Sequence, residues 1–304
     1  MFEHLLVPLE GNEFAESVLP VVRRLDALGV GEITLLRTEM PVAVDQYAVV
    51  CEAALEQAEK YLLNVRGRLA GTKAPIRTLT RVGPAASTIL EVARERKATL
   101  ILASIAHRSR LVRFLFGNVT ERVVQRSPVP VLAVPPSWTH LLGAELAPGE
   151  RLARSILVPL DGGRASRSIL PHAIAMAGAT GARILLLSVI ARGSGGSGDP
   201  GHEEFECAEE QLYLAGADCA AAGVEFSVLL DHGDPVERIL ASCRERHVDW
   251  IAMATRGRSS LSRWLAPSAT LQVLRETAQP LLTVRAAPAA RPVGLGAPSV
   301  LGRH

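Results

Sequence analysis

Short apolar runs alternate with longer amphipathic segments along the first half of the chain, and this alternation predicts its elements. His4–Leu9, Ile33–Thr38, Thr99–Ala103 and Val129–Val134 are brief and largely apolar, the pattern of strands buried on both faces of a parallel sheet. Ile76–Val82 alternates instead and reads as a further strand. Between the strands, apolar residues recur at helical spacing. Ala15, Val18, Leu19, Val22 and Leu25 form one stripe, and Gly29 and Gly31 stop that helix. A loop with Pro41 leads to a predicted helix over Ala48–Leu69, with Leu55, Ala58, Leu62, Val65 and Leu69 on one face. Gly83-Pro84 opens a helix carrying Ile89, Leu90, Val92 and Ala93. Asn118 is the expected N-cap of the last helix, with Glu121 completing a capping box and Val119, Val123 and Val124 facing inward.

The pattern returns about 150 residues later, too long a period for a solenoid, whose units are roughly 20–50 residues. Leu6-Val7-Pro8-Leu9 recurs as Leu157-Val158-Pro159-Leu160, Gly83 as Gly233, and Pro130-Val131-Leu132 as Pro280-Leu281-Leu282. The second set of strands is Ser155–Leu160, Arg183–Ile190, Val224–Leu230, Trp250–Ala254 and Leu281–Arg285. We therefore expect two tandem α/β domains over residues 1–136 and 154–286, each a five-stranded parallel, doubly wound, Rossmann-like sheet with right-handed crossovers. A linker, 137–153, joins them. The Ala-, Pro- and Gly-rich tail, 287–304, reads as disordered. Arg192–Gly201 is rich in Gly and Ser and reads as mobile. A lid over a ligand and a plain crossover are both open readings of it.

In each half the fourth strand runs into a small, basic loop and then a helix start. These are Ser104–Arg110 leading to Gly117-Asn118, and Ala254–Ser259 leading to Pro267-Ser268. Exposed N–H groups and the positive end of a helix dipole converge in such a junction, which suits a phosphate. Doubly wound sheets bind ligands at strand carboxyl ends where strand order reverses. The ends of strands one, two and four would meet there: Glu10, Thr38 and Ser104 in the first half, Asp161, Val189 and Ala254 in the second.

Composition narrows the classes. The chain of 304 residues is 48% hydrophobic, enough for a core in each half. A net charge of +2 is too small to argue for nucleic acid, and 4% aromatic residues offer little for stacking on bases. Cys51, Cys207, Cys219 and Cys243 form no CxxC pair and no zinc spacing, so we expect reduced thiols and no metal site. No apolar run approaches the roughly 18 residues that span a bilayer, and Met1-Phe2-Glu3-His4 leads straight into the first strand without a signal peptide. We expect a soluble, cytoplasmic protein with no nucleic-acid or membrane partner. No P-loop, no Gly-x-Gly-x-x-Gly after strand one and no Gly-x-Ser-x-Gly elbow is present. His172 and His232 have no evident partner and read as surface or structural residues.

Several of these residues carry a likeness. The sequence resembles the universal stress protein family in its tandem two-domain form, through Val158–Gly162, the Gly-Asp-Pro turn at Gly233–Pro235, Thr255–Ser259, Arg108-Ser109, Val119–Val123 and Pro128–Val131. The likeness runs in register over nearly the whole chain except linker and tail. It implies the fold above and an internal pseudo-dimer in which the fifth strands, Val129–Val134 and Leu281–Arg285, meet. A homodimer of the whole chain is a further open reading, and the likeness implies a site for ATP or another adenine nucleotide, with or without Mg. ATP-binding members carry Gly, two residues, Gly, nine residues, then Gly-Ser/Thr, glycines that let N–H groups approach phosphates. The corresponding positions are Ser104, His107, Gly117 and Asn118 in the first half, and Ala254, Gly257, Pro267 and Ser268 in the second. Both depart from the pattern. His107 puts a bulky side chain where backbone should approach a phosphate, and Pro267 removes an N–H.

The second half keeps more, so the resemblance places the nucleotide at Asp161, Val189, Ala254, Arg256, Gly257, Arg258, Ser268 and Ala269. Asp161 would face the adenosine, and Arg256 and Arg258 would supply charge; a solvated basic loop that includes Arg263 is the rival reading. The first-half equivalents, Glu10, Thr38, Ser104, His107, Gly117 and Asn118, read as a degenerate site. Three functions stay open. The first is a binding module for an adenine nucleotide (ATP, ADP or AMP) acting mainly through the second half, without efficient turnover. The second is a structural stress protein with both sites lapsed and an unknown protein partner. A slow ATPase or self-phosphorylating enzyme ranks third, because no catalytic base is evident.

Overall fold

Ten strands hydrogen-bond into one sheet, five from each half. This computed structural model describes residues 2–44, 47–49, 52–105, 119–139, 151–190, 202–255 and 267–286. The first half runs β1 (His4–Pro8), α1 (Glu13–Glu16), α2 (Leu19–Ala27), β2 (Glu32–Glu39), β3 (Val42–Val44), β4 (Tyr47–Val49), α3 (Glu52–Arg68), β5 (Ile76–Val82), α4 (Ala85–Glu95), β6 (Leu100–Ser104), α5 (Val119–Arg126), β7 (Val131–Val134) and α6 (Pro136–Thr139). The second runs β8 (Ser155–Pro159), α7 (Arg164–Arg167), α8 (Leu170–Thr180), β9 (Arg183–Ile190), α9 (His202–Ala221), β10 (Phe226–His232), α10 (Pro235–Glu245), β11 (Trp250–Thr255), α11 (Pro267–Glu276) and β12 (Leu281–Arg285).

The sheet order is β10-β9-β8-β11-β12-β7-β6-β1-β2-β5, parallel within each half. Within this sheet the single antiparallel contact among the described residues is β12 on β7, with Leu281 opposite Ala133, Leu282 opposite Leu132 and Thr283 opposite Val131. The two fifth strands thus join the halves as the internal pseudo-dimer that the resemblance implies. Antiparallel pairing of two parallel halves relates them by an approximate two-fold axis normal to the sheet. The carboxyl ends of their strands therefore point to opposite edges.

Two apolar layers sandwich the sheet. Alternate strand residues feed them: Leu5, Leu132 and Leu282 lie in one, Leu6, Val131 and Leu281 in the other. Both layers pass through the β7–β12 seam. Arg275 adds a bond across it, donating to the Glu121 carboxylate through Nε at 2.8 Å and Nη2 at 2.7 Å. The linker begins packed: Trp138 of α6 meets Trp250 edge-on, ring centroids 6.2 Å apart.

Two elements differ from the sequence reading. Tyr47–Val49 pairs with Val42–Val44 as a hairpin, so the long helix starts at Glu52 and not near Ala48. β-branched Val42, Val44 and Val49 favour the extended form. The single helix expected after β1 is broken between Glu16 and Leu19, and the second half breaks in the same place. Pro20 and Pro171, in the first turns of α2 and α8, lack the N–H that would extend the preceding turn. The Asn118 end of the predicted capping box lies outside the described residues, as do the tail and Arg192–Gly201. Cys219 and Cys243 are buried free thiols and Cys207 an exposed one. No described helix is long and apolar enough to cross a membrane, and no described cluster of His, Cys, Asp and Glu could hold a metal ion.

Candidate functional site

In the second half, the turn after β8 supports the candidate site. Leu160 N–H continues the ladder to Leu187 at 2.8 Å, and Gly162 turns the chain at φ +76. Only a residue without Cβ takes that conformation freely. Asp161 Oδ1 accepts the Gly163 N–H at 2.9 Å, while Ser166 Oγ donates to Gly163 O at 2.8 Å and accepts from Asp161 N–H at 3.3 Å. These bonds hold the carboxylate at the carboxyl edge.

Ala254 and Thr255 end β11 beside this turn, both buried. Thr270, in the first turn of α11, donates its hydroxyl to Ala254 O at 3.0 Å and so ties the helix N-terminus to the strand end. Thr120 does the same to Ser104 O at 2.9 Å. Thr255 Oγ1 sits 3.3 Å from Val124 O of the first half and from Val284 O, so the root of the basic loop is anchored at the seam. Val189, near the end of β9, and Ala269, in the first turn of α11, are buried. Arg256, Gly257 and Arg258 lie outside the described residues, as do His107, Gly117 and Asn118; Ser268 is placed in the first turn of α11.

The first half builds the same turn with different cover. Gly11 has φ +77, and Asn12 caps α1 by accepting the Ala15 N–H at 2.8 Å. Glu10 is exposed, and Asn12 Nδ2 reaches its carboxylate at 3.4 Å. Ser104 Oγ lies 3.3 Å from Ser17 Oγ, bridging β6 to the end of α1. Thr38 is half-buried near the end of β2.

Arg37, one residue earlier, crosses the edge. Its Nε donates to Glu39 at 2.7 Å, and its guanidinium lies 5.8 Å from the Tyr61 ring centroid. Its Nη1 rests against Gly11, where a Cβ would collide. Glu16 beneath it pairs with Arg68. Burial first, then the Glu16 charge, pushes the Tyr61 hydroxyl above its ordinary range.

The register pairs Pro8 with Leu36 and Pro159 with Leu187, so residue 37 corresponds to Ser188. Ser188 is small and buried, and among the described residues a Cβ on Gly162 would meet only Gln211, at 3.6 Å. Sequence reasoning missed the Arg37–Ser188 contrast and the threonine ties. The repeat itself signalled the threonines, since Thr120 and Thr270 recur in register; nothing local marked Arg37.

Comparison with known proteins finds relatives of both halves. The chain matches the universal stress protein family over residues 1–135 and 153–285. It is 26% identical over 141 residues to a universal stress protein of Methanocaldococcus jannaschii, a stretch covering 44% of this chain and 82% of that one. A universal stress protein structure from Archaeoglobus fulgidus superposes with a TM-score of 0.71 at 20% identity, covering 94% of this chain and 97% of that one. A putative universal stress protein from Pseudomonas aeruginosa gives 0.63 at 17% identity, with 94% of each chain covered. At these identities the two structures speak for the fold.

Proposed function

The chain belongs to the universal stress protein family, and from that premise we propose that its second half binds an adenine nucleotide, one per chain, and holds it without efficient turnover. The observation that carries this is the contrast at one position of the repeat: among the described residues Ser188 puts no side chain over the Asp161–Gly162 turn, whereas Arg37 lies across Gly11. Asp161 is braced where its carboxylate can accept ribose hydroxyls. The tie from Thr270 to Ala254 O directs the first turn of α11 toward the strand end, where its N–H groups favour phosphate. Gly257, Arg256 and Arg258 would meet the phosphates, and Val189 would offer the base its main chain. Any Mg would come with the phosphates, since MgATP needs few protein ligands.

The test begins with freshly purified protein, denatured and searched for released ATP, ADP or AMP by mass spectrometry. Calorimetric titration of ATP into stripped protein should then show saturation near one per chain. Gly257→Asp should abolish it, because a carboxylate would stand where phosphate approaches; unchanged affinity would falsify the site. ADP accumulating from added ATP would count against a holding role. If millimolar ATP does not bind, the second reading takes over, a surface-acting stress protein with both sites lapsed. The covered first-half turn already points that way for one of them.

A further inference from the structure

The two fifth strands pair with each other inside this chain, so neither offers a free edge to a second copy. The ten-stranded sheet still has two open edges, β5 and β10, with no partner strand among the described residues. They occupy equivalent places in the two halves but are finished differently. β5 carries Arg77 and Arg81, held by Glu32 at 2.5 Å and Glu95 at 3.6 Å. Charges of this kind discourage a second strand from docking. At the matching places β10 has Ser227 and Asp231, and Thr78 and Thr80 are replaced by Val228 and Leu230. β10 itself has no Lys, Arg or Pro. Its one carboxylate, Asp231, is held by Arg238 of α10 at 2.6 Å and accepts the His232 N–H at 2.8 Å, so paired charge stands only at the carboxyl end of this edge. Phe226 and Val228 are 36% and 50% exposed. The neighbouring helix extends the patch. Phe226 packs on Gly216 of α9, and Tyr213, one turn earlier on that flank, is 77% exposed.

We propose that two copies of the chain join edge to edge through β10, antiparallel, about a two-fold axis centred on Leu229. Strand pairing keeps opposed residues on one face, so the symmetric registers can be compared directly. Centring on Leu229 opposes Val228 to Leu230 and Phe226 to His232 on the α9 face. On the other face Leu229 meets itself, and the Ser227 hydroxyl meets the Asp231 carboxylate, which would accept its hydrogen bond through a remaining lone pair, beside the Arg238 guanidinium and the His232 N–H that it already accepts. The whole of Phe226–His232 then lies opposite the partner strand, with the His232 N–H already taken, by Asp231 Oδ1. Centring on Val228 sets Glu225 against Asp231, two like charges. Centring on Leu230 leaves Phe226 and Ser227 beyond the partner strand. Self-pairing also closes after two copies, whereas β10 on the β5 of another copy would leave fresh edges at both ends. The dimer would hold one sheet of twenty strands, twice the ten in each chain. This inference is independent of the nucleotide reading.

Sedimentation equilibrium of the full chain over roughly 1–100 µM, a range suited to a micromolar interface, should show a reversible monomer–dimer equilibrium. The double substitution Ser227→Arg and Val228→Thr installs what β5 carries at those places, both on exposed positions. It should weaken the dimer at least about tenfold, by turning an open edge into a defended one. Circular dichroism should stay unchanged. Hydrogen exchange of the unaltered protein gives a second readout that needs no variant: the amides of Phe226–His232 should slow as concentration rises. A monomer throughout the range, growth beyond dimers, concentration-independent exchange in β10, or a dimer that persists in the folded double variant would each overturn the proposal.

Discussion

Arg37 and Ser188 stand at one position of the repeat and give it opposite characters. The Arg37–Glu39 pair is only about a fifth exposed, so Arg37→Ser should lower stability by about 1 kcal/mol, the upper end for pairs near the surface. The urea midpoint would read it. The cysteines make a second residue-scale statement. Burial pushes the Cys243 thiol from 9.0 up to about 12. Its folded-state value is raised, so its contribution to stability is complete below pH 9 and lost as pH climbs toward 12. The limiting slope is about 1.4 kcal/mol per pH unit for one thiol ionising only in the unfolded chain. Cys243→Ala should flatten that alkaline decline in denaturation curves. A thiol reagent on the native protein should label exposed Cys207 and reach Cys219 and Cys243 only after unfolding.

At the scale of elements, most of the fold was legible because periodicity survives packing. β5 begins and ends where the alternating run Ile76–Val82 does, and Gly233-Asp234-Pro235 marks the start of α10. There Asp234 accepts the Glu237 N–H at 3.0 Å. Pro84 at the same place in α4 has no side-chain cap. Asp234→Ala should therefore cost about 1 kcal/mol, measured by equilibrium unfolding, by leaving a first-turn N–H without its acceptor. What was not legible at this scale is the β3–β4 hairpin. Its three-residue strands are too short for a period to show, and the helical stripe running back from Leu55 masked them.

The whole molecule is one sheet with two apolar layers that cross the seam, so the halves should not unfold separately. Leu132 is fully buried opposite Leu282 at the centre of the seam. Leu132→Ala should cost 2–5 kcal/mol, as buried leucine truncations do, and lower the protection of β1 and β8 together in native-state hydrogen exchange. Two separate unfolding steps, with β8 protection intact, would contradict a shared core.

By itself the sequence determined the repeat, the alternation of strands and helices, the parallel sheet in each half and the residue types available for chemistry. These rest on local spacing: two residues for a strand, 3.6 for a helix, and about 150 for the duplication. Only the tertiary structure decided how those pieces are used. It placed the two strand-end turns at opposite edges, because the fifth strands meet antiparallel. It brought Glu121 to Arg275 across the seam. It laid Arg37 over Gly11, and it left β10 with one ion pair, at Asp231, where β5 has two, at Arg77 and Arg81. Each of these depends on residues far apart in the chain, where side-chain reach and strand order, and not periodicity, determine what touches what.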